Sequence, residues 1–366
     1  MHSLCCDEII FAQKCGGIVY RSCYICDAAD RIRDLKGFAV LTGMVYYVLK
    51  CLVKREQKKM ATNRILLIYN PKAGRGLFLH HLPSVIDLFV KAGFTVEVYP
   101  TQGSGDAASK IPYLTEEYYM IVAAGGDGTL DEVVTGITRS GKKTPIGYIP
   151  VGSTNDYAVS LGLSVNVMEA AGSIIAGKPH PVDVGIFNKD HVFIYVAAFG
   201  AFTDVAYTTN QDMKNALGHV AYLIEATKRL GDLKSYPMRV RLNGVTLQQD
   251  YIYGMVTNSI SVGGIKHITG NEVRLDDGEF AVTLVRNPRN ILEMQEIVGS
   301  LLMGNYDTAL IDYFKTDHIE LECPVELQWT FDGEYGGTYK NVEIENRARS
   351  QMIILEEGRS LLTKGK

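Results

Sequence analysis

From Arg64 onward the chain switches between two hydrophobic rhythms. Apolar runs of strand length occur at "RILLIYN" (64–70), "YYMIVAA" (118–124) and "PIGYIP" (145–150), while "FTVEVYP" (94–100) alternates. Short apolar runs bounded by turn residues read as buried strands. Between them the period becomes helical. "LPSVIDLFVKAG" (82–93) places Val85, Leu88, Phe89 and Ala92 on one stripe and ends in glycine. "SGDAASKIPYLTEE" (104–117) reads as a second helix, and Leu130, Val133, Val134 and Ile137 line one face of a third. The sum is a β-α-β-α-β-α-β wrap from Arg64 to about Gly177, which predicts a parallel α/β sheet. The middle third changes to short strands and turns, so a second domain of different class is expected. No internal repeat or low-complexity tract is present.

In such a sheet, ligands sit beyond the carboxyl ends of the strands. Glycine-bearing turns fall there at 70–76 ("NPKAGRG"), 125–128 ("GGDG") and 152–156 ("GSTND"). Glycine admits positive φ and lets a ligand approach bare backbone. Helix N-termini add free N–H groups and partial positive charge, which suits phosphate. The convergence of the turns reads as a phosphate cradle, with Lys72 and Arg75 as charge partners. Asp127 is the odd member, because a bare carboxylate repels phosphate. A Mg²⁺ ion held through carboxylates and water resolves that conflict. Neither GxxxxGK[ST] nor GxGxxG occurs, which argues against a standard P-loop or a dinucleotide fingerprint.

The totals narrow the classes. A chain of 366 residues with 46% hydrophobic content can build two domains with real cores. Charged residues are 21% with a formal net of -4, so the basic excess of a nucleic-acid binder is missing. Cys5, Cys6, Cys15, Cys23, Cys26 and Cys51 precede Met60, and only Cys323 follows. Cys23 and Cys26 form a CxxC with no second pair, which disfavours a zinc ribbon. Nothing points to an oxidising compartment.

Residues 1–59 read as an extension foreign to the rest. "GFAVLTGMVYYVL" (37–49) is apolar, but a membrane-spanning helix needs ~20 residues. An interfacial or anchoring segment stays open, and a secretory signal is disfavoured by position and preceding charge. "MATNRILLIYNPKAGRG" looks like the start of an enzyme, and "KREQKK" (54–59) before it can be encoded by a purine-rich, ribosome-binding sequence. The expectation is that residues 1–59 reflect a start site assigned too early. A native N-terminal peptide from before Met60, found by mass spectrometry, would refute it.

Three motifs, "NPKAGRG" (70–76), "GGDGTLDEVVTGI" (125–137) and "PVGSTNDYA" (150–158), resemble the diacylglycerol kinase catalytic-domain family, specifically its soluble bacterial lipid kinases. "DVGIF" (183–187), "RLDDGEF" (274–280) and "FDGE" (331–334) follow in the family's order. GGDGT alone is shared with NAD kinases and phosphofructokinases; the ordered set is more specific. The similarity spans about Asn63 to Leu362. Ser153 stands where the family usually has Thr, Tyr157 where it has Phe, and Val159 where it has Arg.

The resemblance implies an α/β fold: an N-terminal Rossmann-like, phosphofructokinase-like nucleotide domain and a C-terminal β-sandwich-like domain. The implied boundaries are 63–182 plus about 346–362 for ATP, with "SQMIILEE" (350–357) as the returning strand, and 183–345 for the lipid acceptor. Asn70, Pro71, Lys72, Ala73, Gly74, Thr101, Gly126, Asp127, Gly128, Thr129, Leu130, Asp131, Glu132 and Ser153 would line ATP. Asp127, Asp156 and Asp183 would join an acid, water and Mg²⁺ network. Glu334 would be the general base, with Asp127 and Asp332 beside it in the catalytic group. Asp277, with the backbone carbonyls of Arg274 and Glu279, resembles a second, structural Mg²⁺ site; a plain turn is the competing reading.

The implied reaction is ATP- and Mg²⁺-dependent phosphorylation of a lipid hydroxyl, with diacylglycerol to phosphatidate first. Other lipid alcohols, an NAD-kinase-like activity and a non-catalytic nucleotide-binding regulator stay open. The expected partner is lipid at a membrane surface, with no nucleic acid, and a homodimer is compatible. The expected location is cytoplasmic, peripheral at the inner membrane surface. Lys214, Lys228, Arg229, Lys234, Arg239 and Arg241, interleaved with Tyr222, Leu223 and Leu230, could rest on anionic headgroups or form a solvated face. His80 and His81 read as surface residues.

Overall fold

The computed structural model describes residues 63–114, 117–201, 233–266, 269 and 272–356, with strand pieces at 14–15, 18–19 and 362–364. The chain divides into two compact units, 1–63 and 64–366. In the first, Lys14–Cys15 pairs antiparallel with Ile18–Val19. The CxxC and the apolar segment 37–49 lie outside the described residues.

The second unit opens with parallel strands β1 (Arg64–Tyr69), β2 (Thr95–Pro100), β3 (Met120–Gly125) and β4 (Ile146–Pro150), in spatial order β2-β1-β3-β4. Strand alternation sorts their side chains into two layers. Ile65 and Leu67 face helices α1 (Leu77–Lys91) and α5 (Val167–Ala176) through Phe78, Val85, Phe89 and Ile174. Leu66 and Ile68 face α3 (Asp127–Ser140) through Leu130, Val133, Val134 and Ile137. The helical stripe expected after residue 126 is buried in full.

Two helices differ from expectation. α1 begins five residues earlier than residue 82, with Pro83 inside it. Phe78 holds the added turn down: it is buried and its ring lies 5.6 Å from that of Tyr69. Among its described residues the segment 104–117 yields the short α2 (Asp106–Lys110) and a 3₁₀ turn, Ile111–Tyr113. Pro112 explains the stop, since proline has no N–H for a continuing helix.

After α4 (Asp156–Ser160) and α5 the chain becomes β-rich. β5 (Lys178–Phe187), β6 (His191–Phe193), β7 (Val196–Gly200), β8 (Tyr236–Leu242) and β9 (Val245–Thr257) follow. The hairpin β10 (Ser261–Val262) and β11 (Ile265–Lys266) precedes β12 (Glu272–Arg274), β13 (Phe280–Arg286), α6 (Ile291–Met303), β14 (Ile311–Thr316), β15 (His318–Phe331) and β16 (Glu334–Leu355). β7 pairs with both β9 and β15, and β8 pairs with the same two, so these strands close around a core. Phe187, Phe193, Phe199, Phe280 and Trp329 fill it. This is the sandwich-like half. β16 spans 22 residues and joins the halves: it pairs antiparallel with β15 and β5, then sets Ile353 parallel to Ile146 of β4.

Among the described residues no helix is long and apolar enough to cross a membrane, a statement that does not bear on β-barrels. Of the expected basic segment, 214–241, the residues 214–232 lie outside the described residues. Two of its members that are described sit in ion pairs: Arg239 with Glu322, and Arg241 with Glu320 and Glu322. His80 is exposed and His81 half-buried.

Candidate active site

Strand order alone brings the turns together. β1, β3 and β4 are neighbours running the same way, so the segments after them share one sheet edge. The chain holds them in register there: Asn70 N–H donates to Ala124 O (3.1 Å), and Val151 N–H to Gly125 O (2.8 Å). The close approach demands glycine. A Cβ on Gly152 would stand 2.5 Å from Gly126 Cα, and one on Gly74, at φ +55°, would stand 2.3 Å from Val151 O. Asn155, at φ +54°, then locks the third turn by accepting from Gly152 N–H and donating to Gly152 O.

The result is a cleft of about 1050 Å³. Of the residues expected at ATP, Asn70 to Gly74, Thr101, Gly126, Gly128, Thr129, Glu132 and Ser153 line it. Leu130 and Asp131 do not; Leu130 is a core residue on the opposite face of α3. Arg75 and Lys72 bring positive charge to the rim. Sequence reasoning missed Gln102, Gly103 and Ser104, which also line the cleft. They follow β2 at the same carboxyl edge, so the rule that located the other turns could have found them.

Glu334 starts β16 after a reversal built on left-handed residues, Asp332 (φ +49°) and Gly333 (φ +85°). It is exposed and lines the cleft, and a Cβ on Gly128 would stand 3.0 Å from its Oε1. This carboxylate of the β-rich half therefore lies over the first turn of α3. Asp332 stands behind it, buried. It accepts from the N–H groups of Ile194 (2.7 Å), Tyr195 (3.0 Å) and Val196 (2.9 Å). Burial pushes its carboxyl up to about 6, against the opposing pull of those donors.

The remaining acids mostly brace backbone. Both oxygens of Asp127 accept from the start of α4, from Asp156 N–H (2.9 Å) and Tyr157 N–H (3.2 Å). Its side chain does not line the cleft. Burial first, and the neighbouring Asp156 charge second, push it up to about 7. Asp156 is clamped to the β10–β11 hairpin: it accepts from Ser261 Oγ (2.5 Å), Gly263 N–H (2.9 Å) and Gly264 N–H (3.0 Å). Glu132 caps α2 by accepting from Gly105 N–H (2.7 Å) and Ala107 N–H (3.0 Å) while it faces the cleft.

Asp183 has other partners than this pair. It is fully buried and accepts from Gly278 N–H (2.7 Å) and Arg349 N–H (2.8 Å). Its carboxyl is raised by burial, with Asp277 as the neighbouring charge. The structure thus brings Asp127 and Asp156 together and ties Asp183 to the Arg274–Glu279 turn. In that turn Asp277 Oδ1 accepts from Glu279 N–H (3.2 Å), the local bond of an Asx turn.

Comparison with known proteins bears on the family and the fold. Residues 64–187 match the diacylglycerol kinase catalytic domain, and residues 196–348 match the YegS C-terminal NAD kinase beta sandwich-like domain. A Staphylococcus carnosus (strain TM300) protein named diacylglycerol kinase is 34% identical, covering 75% of this chain and 89% of its own. One of the same name from Bacillus subtilis (strain 168) is 33% identical, covering 75% of this chain and 90% of its own. A crystal structure from Bacillus anthracis str. Sterne superposes with a TM-score of 0.69 at 26% identity, over 81% of this chain and 96% of that one.

Proposed function

Because this chain belongs to the diacylglycerol kinase catalytic-domain family and is a kinase, we propose that it transfers the γ-phosphate of ATP, with Mg²⁺, to the hydroxyl of diacylglycerol. The product is phosphatidate. One observation carries this reading: a glycine-walled cleft with a carboxylate, Glu334, reaching over it from the other half of the protein. Phosphoryl transfer asks mainly for positioning and charge stabilisation. The turns offer backbone N–H groups to phosphate oxygens, and Lys72 and Arg75 add positive charge. The acceptor oxygen bonds to the γ-phosphorus as the bond to the β–γ bridging oxygen breaks. ADP leaves with that electron pair, and the hydroxyl proton passes to Glu334.

The donor set fits a hard cation. Asp127 and Asp156 are neighbouring oxygen donors, and burial first and the Asp156 charge second raise the Asp127 pKa. They would hold Mg²⁺ through water, and the ion would neutralise phosphate charge. Asp277 with the carbonyls of Arg274 and Glu279 forms an oxygen-rich turn of the kind a second Mg²⁺ takes. A lipid acceptor places the protein at a membrane surface, and we assign it the cytoplasmic face of the inner membrane.

The test is transfer of labelled γ-phosphate to diacylglycerol, phosphatidylglycerol, a sphingoid base, undecaprenol and NAD, with and without chelator. Label in phosphatidate that disappears with chelator is the expected result. Label confined to NAD, or to none of the lipids, would overturn the reading.

A further inference from the structure

Glu132 faces the cleft, yet its carboxylate is already engaged. Oε1 accepts from Gly105 N–H (2.7 Å) and Oε2 from Ala107 N–H (3.0 Å). Both oxygens are spent on backbone donors, and a carboxylate repels phosphate in any case. Its place on α3 suits the first task. Glu132 stands four residues after Gly128, so both fall on one face of the helix. One turn further, Gly136 lets α2 come close: a Cβ there would stand 2.8 Å from Ile111 Cβ and 3.2 Å from Ala107 O. Gly136 thus docks the short helix, and Glu132 pins the turn that enters it.

That turn, residues 101–104, forms the end of the cleft that follows the edge strand β2. Its own bonds fix it further. Thr101 N–H donates to Tyr69 O (2.9 Å), and Gln102 N–H to Asp106 Oδ2 (2.7 Å). The amide nitrogen of Gln102 donates to Pro100 O (2.8 Å). A carbonyl only accepts, so the amide oxygen is the end that Gln102 turns away from Pro100. The phosphate turns offer bare backbone at Gly74, Gly126, Gly128 and Gly152, whereas this turn offers the side-chain oxygens of Thr101, Gln102 and Ser104. Ribose hydroxyls and the amino group of a base supply donors to such oxygens; an ionised phosphate supplies none. β1 lies between β2 and β3, so the turn stands two strand spacings, about 10 Å, from the turn at 125–128. With the transferred phosphate under Glu334, that separation leaves the nucleoside for the 101–104 turn.

We propose that Glu132 is a positioning residue: it holds the turn before α2 against α3, and the held turn grips the nucleoside end of ATP, while Glu132 itself touches no phosphate. The proposal rests on the reading above, in which ATP binds this cleft and Glu334 marks the phosphate that moves.

The test sets Mg²⁺-ATP against inorganic tripolyphosphate, which carries the phosphates without the nucleoside, in titration calorimetry on the full chain. Glu132→Ala should weaken ATP about tenfold and tripolyphosphate less than about twofold. Glu132→Gln keeps one amide oxygen that can accept from one of the two N–H groups, so it should fall between. Equal weakening of both ligands would put Glu132 on the phosphates or their metal, and an unchanged ATP affinity would leave the turn without a role; either overturns the proposal. In turnover the ATP KM should rise while kcat changes less than about threefold. Hydrogen exchange reads the same turn in wild type. Amides of residues 102–107 should slow when ATP binds and stay unchanged with tripolyphosphate, and equal protection by both ligands overturns the proposal as well. ATP affinity that responds as expected, without phosphorylation of any lipid, rejects the acceptor reading and supports the role of Glu132. Failure of the wild type to bind ATP or tripolyphosphate overturns both. Should Glu132→Ala fail to fold, Glu132→Gln and the wild-type exchange decide.

Discussion

The cleft wall and the layer of acids behind it come from the same turns, yet they are built by opposite means. At the wall, Gly74, Gly126, Gly128 and Gly152 leave backbone bare, and Lys72, Arg75, Glu132 and Glu334 are the charged side chains on it. Behind it, the oxygens of Asp127, Asp156 and Asp332 each take backbone N–H groups from another segment. An acid in a ligand-binding motif is commonly taken for a ligand contact. Here most of the motif acids fix one loop against the next, and their charge acts on the cleft from below. The layers should therefore respond differently to substitution: the wall through turnover and nucleotide affinity, the acids through stability and pH.

The largest effect should come from the carboxylate that crosses into the cleft. Glu334→Gln is expected to lower phosphotransfer by about 100-fold or more, with nucleotide affinity within about threefold, measured by turnover and by titration calorimetry. Equal loss of nucleotide binding would move Glu334 from the chemistry to the cradle. Next is the wall itself. Gly74→Ala places a Cβ 2.3 Å from Val151 O at a positive φ. It should raise the nucleotide KM about tenfold and cost ~1–3 kcal/mol of stability. An unchanged KM would mean that the first turn does not hold phosphate.

The smallest effect belongs to the hidden layer. Asp127 is raised from 3.8 to about 7 in the fold. A carboxyl with a raised folded pKa stabilises fully below its unfolded value, and that stability drains away as pH rises through the folded one. Metal-free protein should thus lose stability between about pH 4 and 7, by ~1.4 kcal/mol per pH unit at most from this group. Asp127→Asn should flatten that slope in denaturant melts read at several pH values. An unaltered slope would show that Asp127 is not the group that titrates.

Much of the parallel sheet was legible because each strand carries its own signal. "RILLIYN" and "YYMIVAA" are continuous apolar runs, and a strand buried on both faces needs no partner to be recognised. The start of α1 was not legible, because Pro83 suggests a beginning while the buried Phe78 supplies the real anchor. Gln102 to Ser104 carry no distinctive chemistry, and only their place after β2 brings them to the cleft. Asp183 reads like the other motif acids. That its partners are Gly278 and Arg349 depends on the course of β5 beside β16, which no local pattern records.

The sequence by itself determined the glycine turns, the strands that carry them and the residue types able to meet phosphate. These depend on φ, on hydrophobic period and on the absence of a Cβ, all properties of a few neighbouring residues. Only the tertiary structure decided which acids face the cleft and which are consumed by N–H donors. That choice joins Asp127 to Tyr157, Asp156 to Gly264 and Asp332 to Ile194 across long stretches of chain. A carboxylate's role follows from the donors and the burial around it, and both arise only when distant segments pack.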